Sequence, residues 1–212
     1  MNWVEGVVGV AGIGSWQIEV RADETLPVFA LWLRDVEAIE VPPSPLVPGP
    51  LDMADLPPRG PDHDPRVGDE WLAWWTSLVD RRPRPPQLPA DEDVQPADDT
   101  PDPLGLARLP VLRGYVTRRW TEFLHWRTAH HRAHGTFADR RPVGDLRETD
   151  TVREVEATLG RKAAPFSLTF TLLPVRDDRI RQVETAHYLV PERVYLGDGW
   201  PTWLRAVVAE VA

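Results

Sequence analysis

Phe166-Ser167-Leu168-Thr169-Phe170-Thr171-Leu172 alternates apolar and polar side chains without a break. Successive side chains of a strand point to opposite faces, so a period of two sends one set inward and leaves the other wet. Aromatic and β-branched residues suit such a pleated, half-buried surface. This is the clearest strand in the chain. After it, Arg176-Asp177-Asp178-Arg179 supplies turn chemistry, and a second strand is expected at Val183–Val190. The two read as an antiparallel hairpin. Tyr195 is expected to end a short third strand. Asp198-Gly199 then opens a last helix, with Pro201 in its first turn and Leu204, Val207, Val208 and Val211 facing inward.

Upstream lies a short helix over Thr151–Leu159. Thr151 and Glu154 have the capping-box spacing, Val152, Val155 and Leu159 form its stripe, and Gly160 stops it. Before that, Pro110–His134 is the longest helix expected. Proline fits a first turn, Leu112, Val116, Trp120, Phe123, Leu124 and Arg127 recur at helical spacing, and Gly135 suits the left-handed residue past the end. Asp69–Asp80 reads as a further helix, capped by Asp69 and carrying Trp71, Trp74, Trp75 and Leu78. The N-terminal part looks like strands: Trp16–Val20 alternates, Val28–Leu33 is continuously apolar, and Val36–Val41 extends or pairs with it.

Two proline-rich stretches separate these elements. Residues 42–66 hold nine prolines in 25 positions, and residues 81–104 hold seven in 24. Proline lacks the amide donor that helices and sheets require, so both are expected to be loops. The fold class is therefore α+β. One domain of 212 residues is expected, with a mainly antiparallel sheet packed by three to four helices and two long proline-rich loops.

Composition narrows the function. Cysteine is absent, which removes disulfides, thiolate metal sites and a cysteine nucleophile. The formal net charge is −9, which disfavours nucleic acid and anionic lipid as partners. The longest apolar run, Val7–Ile13, is far short of the roughly 20 residues of a membrane span. The N-terminus lacks the positive region of a secretory signal, so a soluble cytoplasmic protein is expected. Lys162 is the only lysine beside 23 arginines, a bias that reads as a GC-rich bacterial genome.

Five sets of residues are candidates for chemistry. His130 and His134 stand four apart and share a helix face, the geometry of a metal pair, with Asp139, His63 or His187 as a third ligand. The glutamate that would serve a zinc hydrolase as base is missing; His131 and Arg132 occupy its place. Arg113, Arg118, Arg119 and Arg127, interleaved with Trp120 and Trp126, are the kit for anion or nucleic-acid contact. The acidic run Asp91–Asp102 is an alternative, intramolecular partner for them. Gly9, Gly12 and Gly14 lack the lysine and serine or threonine that end a phosphate loop. None of Ser15, Ser44, Ser77 and Ser167 lies in a nucleophile elbow. Trp71, Trp74 and Trp75 are core or an interface anchor.

No catalytic constellation stands out, and no cofactor is implied. The sequence points to a non-enzymatic interaction or assembly component of a bacterial system, an adaptor, an immunity-type protein or a complex subunit. Its partner is expected to be another protein or a second copy, contacted through Trp71, Trp74 and Trp75. The alternatives are a metal-dependent hydrolase built on His130 and His134, and an anion-binding or nucleic-acid-binding module built on the 110–134 helix.

Overall fold

A computed structural model describes residues 7–11, 16–53, 56, 64–80, 106, 108–141 and 145–212. Along them run β1 (Val7–Ala11), β2 (Trp16–Arg21), α1 (Thr25–Glu37), α2 (Val67–Val79), α3 (Pro110–His134), α4 (Phe137–Arg140) and α5 (Arg147–Leu159). β3 (Phe166–Leu173), β4 (Arg181–Glu184), β5 (His187–Pro191), α6 (Glu192–Tyr195) and α7 (Trp200–Val211) follow. The architecture is α+β. The chain divides into two compact units, a division the sequence does not reveal. One joins Met1–Glu24 to His130–Ala212; the other is Thr25–Ala129.

The first unit holds a five-stranded sheet in the order β1-β2-β3-β5-β4. β3 forms where the alternation predicts it, with Leu168, Phe170 and Leu172 buried. The expected mainly antiparallel sheet needs correcting, because the inner pairs β2–β3 and β3–β5 are parallel. Only the edge pairs β1–β2 and β4–β5 are antiparallel. A parallel pair cannot be closed by a tight turn and needs a long crossover. Between β2 and β3 that crossover is the whole second unit and α4 and α5. The expected Val183–Val190 strand is itself a hairpin, β4 turning into β5, and β5 slots between β3 and β4. Tyr195 ends the short helix α6, not a strand.

The core of this unit lies on one face of the sheet. Ile18, Val20, Leu168, Phe170 and Val190 meet Val152 and Val155 of α5 and Leu204 and Val208 of α7. Trp200 stands edge-on to Phe170 at 5.1 Å between ring centroids. α5 ends on Gly160 at φ 67°, a left-handed conformation that glycine adopts without the Cβ clash.

The second unit is helical. α1 replaces the strand expected at Val28–Leu33, and its last turn takes up part of the expected Val36–Val41 strand. Eleven of its 13 residues are buried, so no polar face interrupts the apolar run. A helix covered on all sides and a strand covered on both faces give the same uninterrupted pattern. α2 starts two residues earlier than expected, so Asp69 sits in its first turn rather than capping it. α3 matches its predicted bounds, burying Leu112, Val116 and Phe123.

Residues 42–53 form no helix or strand, as proline content predicts, but they are tied down. A proline-rich chain offers carbonyls with few amides, so its acceptors need outside donors. Arg34 donates to the Pro48 and Gly49 carbonyls at 2.7 and 2.8 Å. The Trp75 indole donates to the Leu46 carbonyl at 3.0 Å, and the Leu51 amide donates to Asp35 at 2.7 Å. Residues 81–104, and the acidic run within them, lie outside the described residues.

Candidate functional site

Trp71, Trp74 and Trp75 are placed inside the second unit. Their relative exposures are 0, 4 and 0 %. Trp71 stacks on Trp75 at 5.6 Å, and its indole donates to the Ala30 carbonyl at 2.8 Å. Trp74 stands edge-on to Phe29, which also meets Trp120 and Phe123. Rings so enclosed have no face left for a partner. The interface assignment to these three residues is corrected on that ground, and their large apolar area goes into holding α2 against α1.

The four arginines are not brought together. Arg119 is drawn inward, donating to the fully buried Glu37 and to Glu122. Those carboxylates hold its guanidinium above the usual arginine value. Arg127 donates to the Thr25 hydroxyl. Arg113 and Arg118 point outward. Arg118 lies over the Tyr115 ring at 4.7 Å, more than half exposed, with only a long 3.9 Å approach to Glu37. Arg113 has no ionic partner among the described residues. Only two of the four cations therefore face solvent, joined by exposed His125.

This outward face of α3 has a composition the sequence reading did not single out. Gly114, Arg118, Thr121, His125 and Thr128 are all exposed and recur at steps of four and three. That spacing keeps them on one side of a helix. The seam contains no carboxylate; Glu122 lies beside it, held by Arg119. Gly114 carried the signal, being the one glycine inside an otherwise continuous helical stretch.

His130, His131 and His134 fall in the first unit, and His131 reaches Asp23, just past the C-terminal end of the parallel strand β2, where open sheets commonly bind ligands. His130 and His134 do share a face, with ring centroids 4.7 Å apart. The third ligands do not join them. Asp139 accepts from the Thr136 amide and hydroxyl in a capping box, which holds its carboxyl below the usual range. His187 shares a 3.0 Å hydrogen bond with Thr171, and His63 lies outside the described residues. Among the described residues no three His, Asp or Glu side chains converge on a cation position.

Two carboxylates at the strand ends were not picked out from sequence. Asp23, at φ 57°, accepts the Phe137 amide at 2.7 Å and lies 3.8 Å from His131 Nε2. Glu192 is buried and accepts from Arg140 at 2.6 Å, while its Oε1 has no hydrogen-bond partner. Burial pushes the Glu192 carboxyl up, and Arg140 only partly offsets it. Nearby, buried Glu148 accepts the Tyr195 hydroxyl at 2.6 Å and Arg141 at 2.8 Å. Burial, then the Glu148 charge, drives the Tyr195 hydroxyl far above its usual value. Arg141 also reaches Asp145, and Arg147 bridges Asp145 to the Tyr195 carbonyl. Such a closed ring of charges fixes α5 and α6 in place and offers no activated nucleophile.

Gly9 makes room for this ring. A Cβ there would stand 2.3 Å from Arg141 Nη1. Its role is steric seating of a guanidinium, and it opens no helix that could receive a phosphate. Residues 12–15 of the glycine stretch lie outside the described residues.

Among the described residues no helix is long and apolar enough to cross a membrane. No family model, curated protein or solved structure matches the chain.

Proposed function

We propose that this chain is a non-enzymatic interaction component that binds another protein through the outward face of α3. One observation carries the reading: α3 runs for 25 residues, buries only three of them, and leaves Arg113 and Arg118 outside, while the nearby carboxylate of Glu122 is bound by Arg119. Elsewhere most of the buried charges are spent on one another, as in Glu37 with Arg119 and Glu148 with Arg141. Outward arginines not matched by a free carboxylate of the same helix favour contact with a surface of the opposite sign. The reading includes a bacterial cytoplasmic setting, which rests on arginine in place of lysine and on the lack of cysteine.

The test is a triple variant, Arg113→Glu, Arg118→Glu and His125→Glu, purified from its native host beside the unaltered chain. All three positions are exposed, so the fold is expected to persist, which circular dichroism checks. The unaltered chain is expected to retain a partner in fixed stoichiometry that the variant loses. A partner retained equally by both overturns the reading.

A further inference from the structure

A sheet that does not close on itself leaves a row of backbone donors and acceptors along each edge, and proteins ordinarily guard such edges with charge, proline or shortness. The edges here are β4 and β1. β4 is guarded: it is four residues long, begins on Arg181 and ends on Glu184, and its register shifts between Gln182 and Glu184. β1, Val7-Val8-Gly9-Val10-Ala11, has neither charge nor proline. Its register also shifts, between Val7 and Gly9, but Gly9, Val10 and Ala11 then run continuously beside Val20, Glu19 and Ile18. Among the described residues no strand pairs with its outer side.

A second observation falls at the same edge. Val10 and Leu146, at 62 and 56 %, are the two most exposed large apolar side chains among the described residues. Val10 stands beside Glu19, on the face turned away from Ile18, Val20 and the core they enter. Leu146 belongs to the core side of that edge. It leads into α5, and the residue before it, Asp145, accepts from Arg141, whose guanidinium lies against Gly9. The open backbone row thus has an uncovered apolar side chain on each side of the sheet, and an added strand would cover both.

We infer that β1 pairs antiparallel with β1 of a second copy, joining the two sheets across a two-fold axis. Such pairing is self-complementary and closes after two chains, whereas β1 against β4 would repeat without end and set charged strand ends against an apolar strand. Charge does not oppose it. Glu19 pairs with Arg21 at 3.0 Å, and Arg141 and Arg147 are matched by Asp145 and Glu148. Glu5, the nearest charge before the strand in sequence, lies outside the described residues. An edge whose described charges are matched offers a charged partner nothing to select, while a second copy brings the same apolar pair to be covered. The inference goes beyond the α3 reading and uses no residue of that helix.

A five-residue edge with two apolar side chains is small beside the about 1,200–2,000 Å² of a stable interface, so the dimer is expected to form in the micromolar range and to part on dilution. Sedimentation velocity of the full chain at about 5 and about 300 μM is expected to show monomer at the first and dimer at the second. Val10→Lys places a charge on the edge at an exposed position, and is expected to weaken association by at least about tenfold with an unchanged circular dichroism spectrum. Gln182→Lys adds the same charge to the other edge and is expected to dimerise as the unaltered chain does. Should Val10→Lys fail to fold, amide exchange of the unaltered chain decides. Peptides covering residues 7–11 are expected to exchange several-fold more slowly at the higher concentration, and those covering 181–184 at the same rate. A monomer at about 300 μM, a dimer indifferent to Val10→Lys, an equal loss with Gln182→Lys, or exchange at 7–11 independent of concentration each overturns the inference.

Discussion

The two helical glycines make one substitution act with opposite signs. At Gly68 an added methyl would stand 2.1 Å from the Glu40 oxygen, 3.2 Å from the Glu40 carbonyl carbon and 3.6 Å from Pro42 Cδ. The first two are backbone atoms, so no rotamer change relieves them. Either α2 or the chain at Glu40–Pro42 must retreat by about 1 Å to reach an ordinary contact. That chain leads into the segment held by Arg34 and by the Trp75 indole, so retreat strains those bonds as well. Overpacking of this kind costs about 1–3 kcal/mol, and backbone against backbone belongs at the upper end. Helix propensity returns at most about 1 kcal/mol. Gly68→Ala should therefore lose about 2 kcal/mol. At Gly114 the same methyl enters open space, and only the propensity gain of about 0.5–1 kcal/mol remains. For a chain of this size 1 kcal/mol is worth roughly 2–4 °C in Tm. Gly68→Ala should fall by about 4–8 °C and Gly114→Ala rise by about 1–4 °C. Urea and thermal melts followed by tryptophan fluorescence report on this directly, since six of the ten tryptophans lie in the second unit. Shifts of the same sign at both positions would refute the steric reasoning.

Three further outcomes follow from the geometry. Trp71→Ala removes a ring with no exposed surface and a 2.8 Å hydrogen bond, so a loss of about 3–5 kcal/mol and of near-ultraviolet dichroism is expected; a cooperative melt near the original Tm would show that the ring is dispensable. Tyr195→Phe strips buried Glu148 of its 2.6 Å donor and should cost about 1–3 kcal/mol, read from denaturant midpoints; a neutral result would mean that Arg141 alone satisfies that carboxylate. Glu192 holds its proton more tightly folded than unfolded, so its stabilisation is complete below the ordinary value of 4.5 and is lost as pH climbs through the raised one. Glu192→Gln should remove that decline, and a stability difference from the unaltered chain that stays constant between about pH 4 and pH 8 would contradict it.

What the sequence discloses depends on how far apart the deciding residues lie. β3 and α3 are legible because their signals are local: strict alternation in one, and Pro110 and Gly135 around a continuous helical stripe in the other. α1 is misread because Val28–Leu33 is apolar on every side, although Pro27 in a first turn and the leucines and alanine favour a helix. Strand direction is not legible at all. β2 and β3 look alike whichever way they run, and the crossover between them decides. The site divides in the same way. That α3 is rich in cations is plain from composition. That Arg119 turns inward while Arg118 does not is set by Glu37, 82 residues away and fully buried. Whether Trp71, Trp74 and Trp75 are core or surface is decided by α1, which meets them through Ala30 and Phe29 and lies some 40 residues upstream.

The parallel pairing of Trp16 with Phe166 bears on how the protein is made. About 150 residues separate the two, so at roughly 5–20 residues per second β2 leaves the ribosome some 8–30 s before its neighbour. During that interval the β1–β2 ribbon has no third strand, and an isolated two-stranded ribbon is marginal in water. Thr25–Ala129 emerges whole within the same interval, with its aromatic core contained in its own stretch of chain. Synthesis thus favours an order in which the inserted helical unit matures first. The nascent β1–β2 ribbon meanwhile waits with Ile18 and Val20 uncovered, and it is there that a chaperone would find its work.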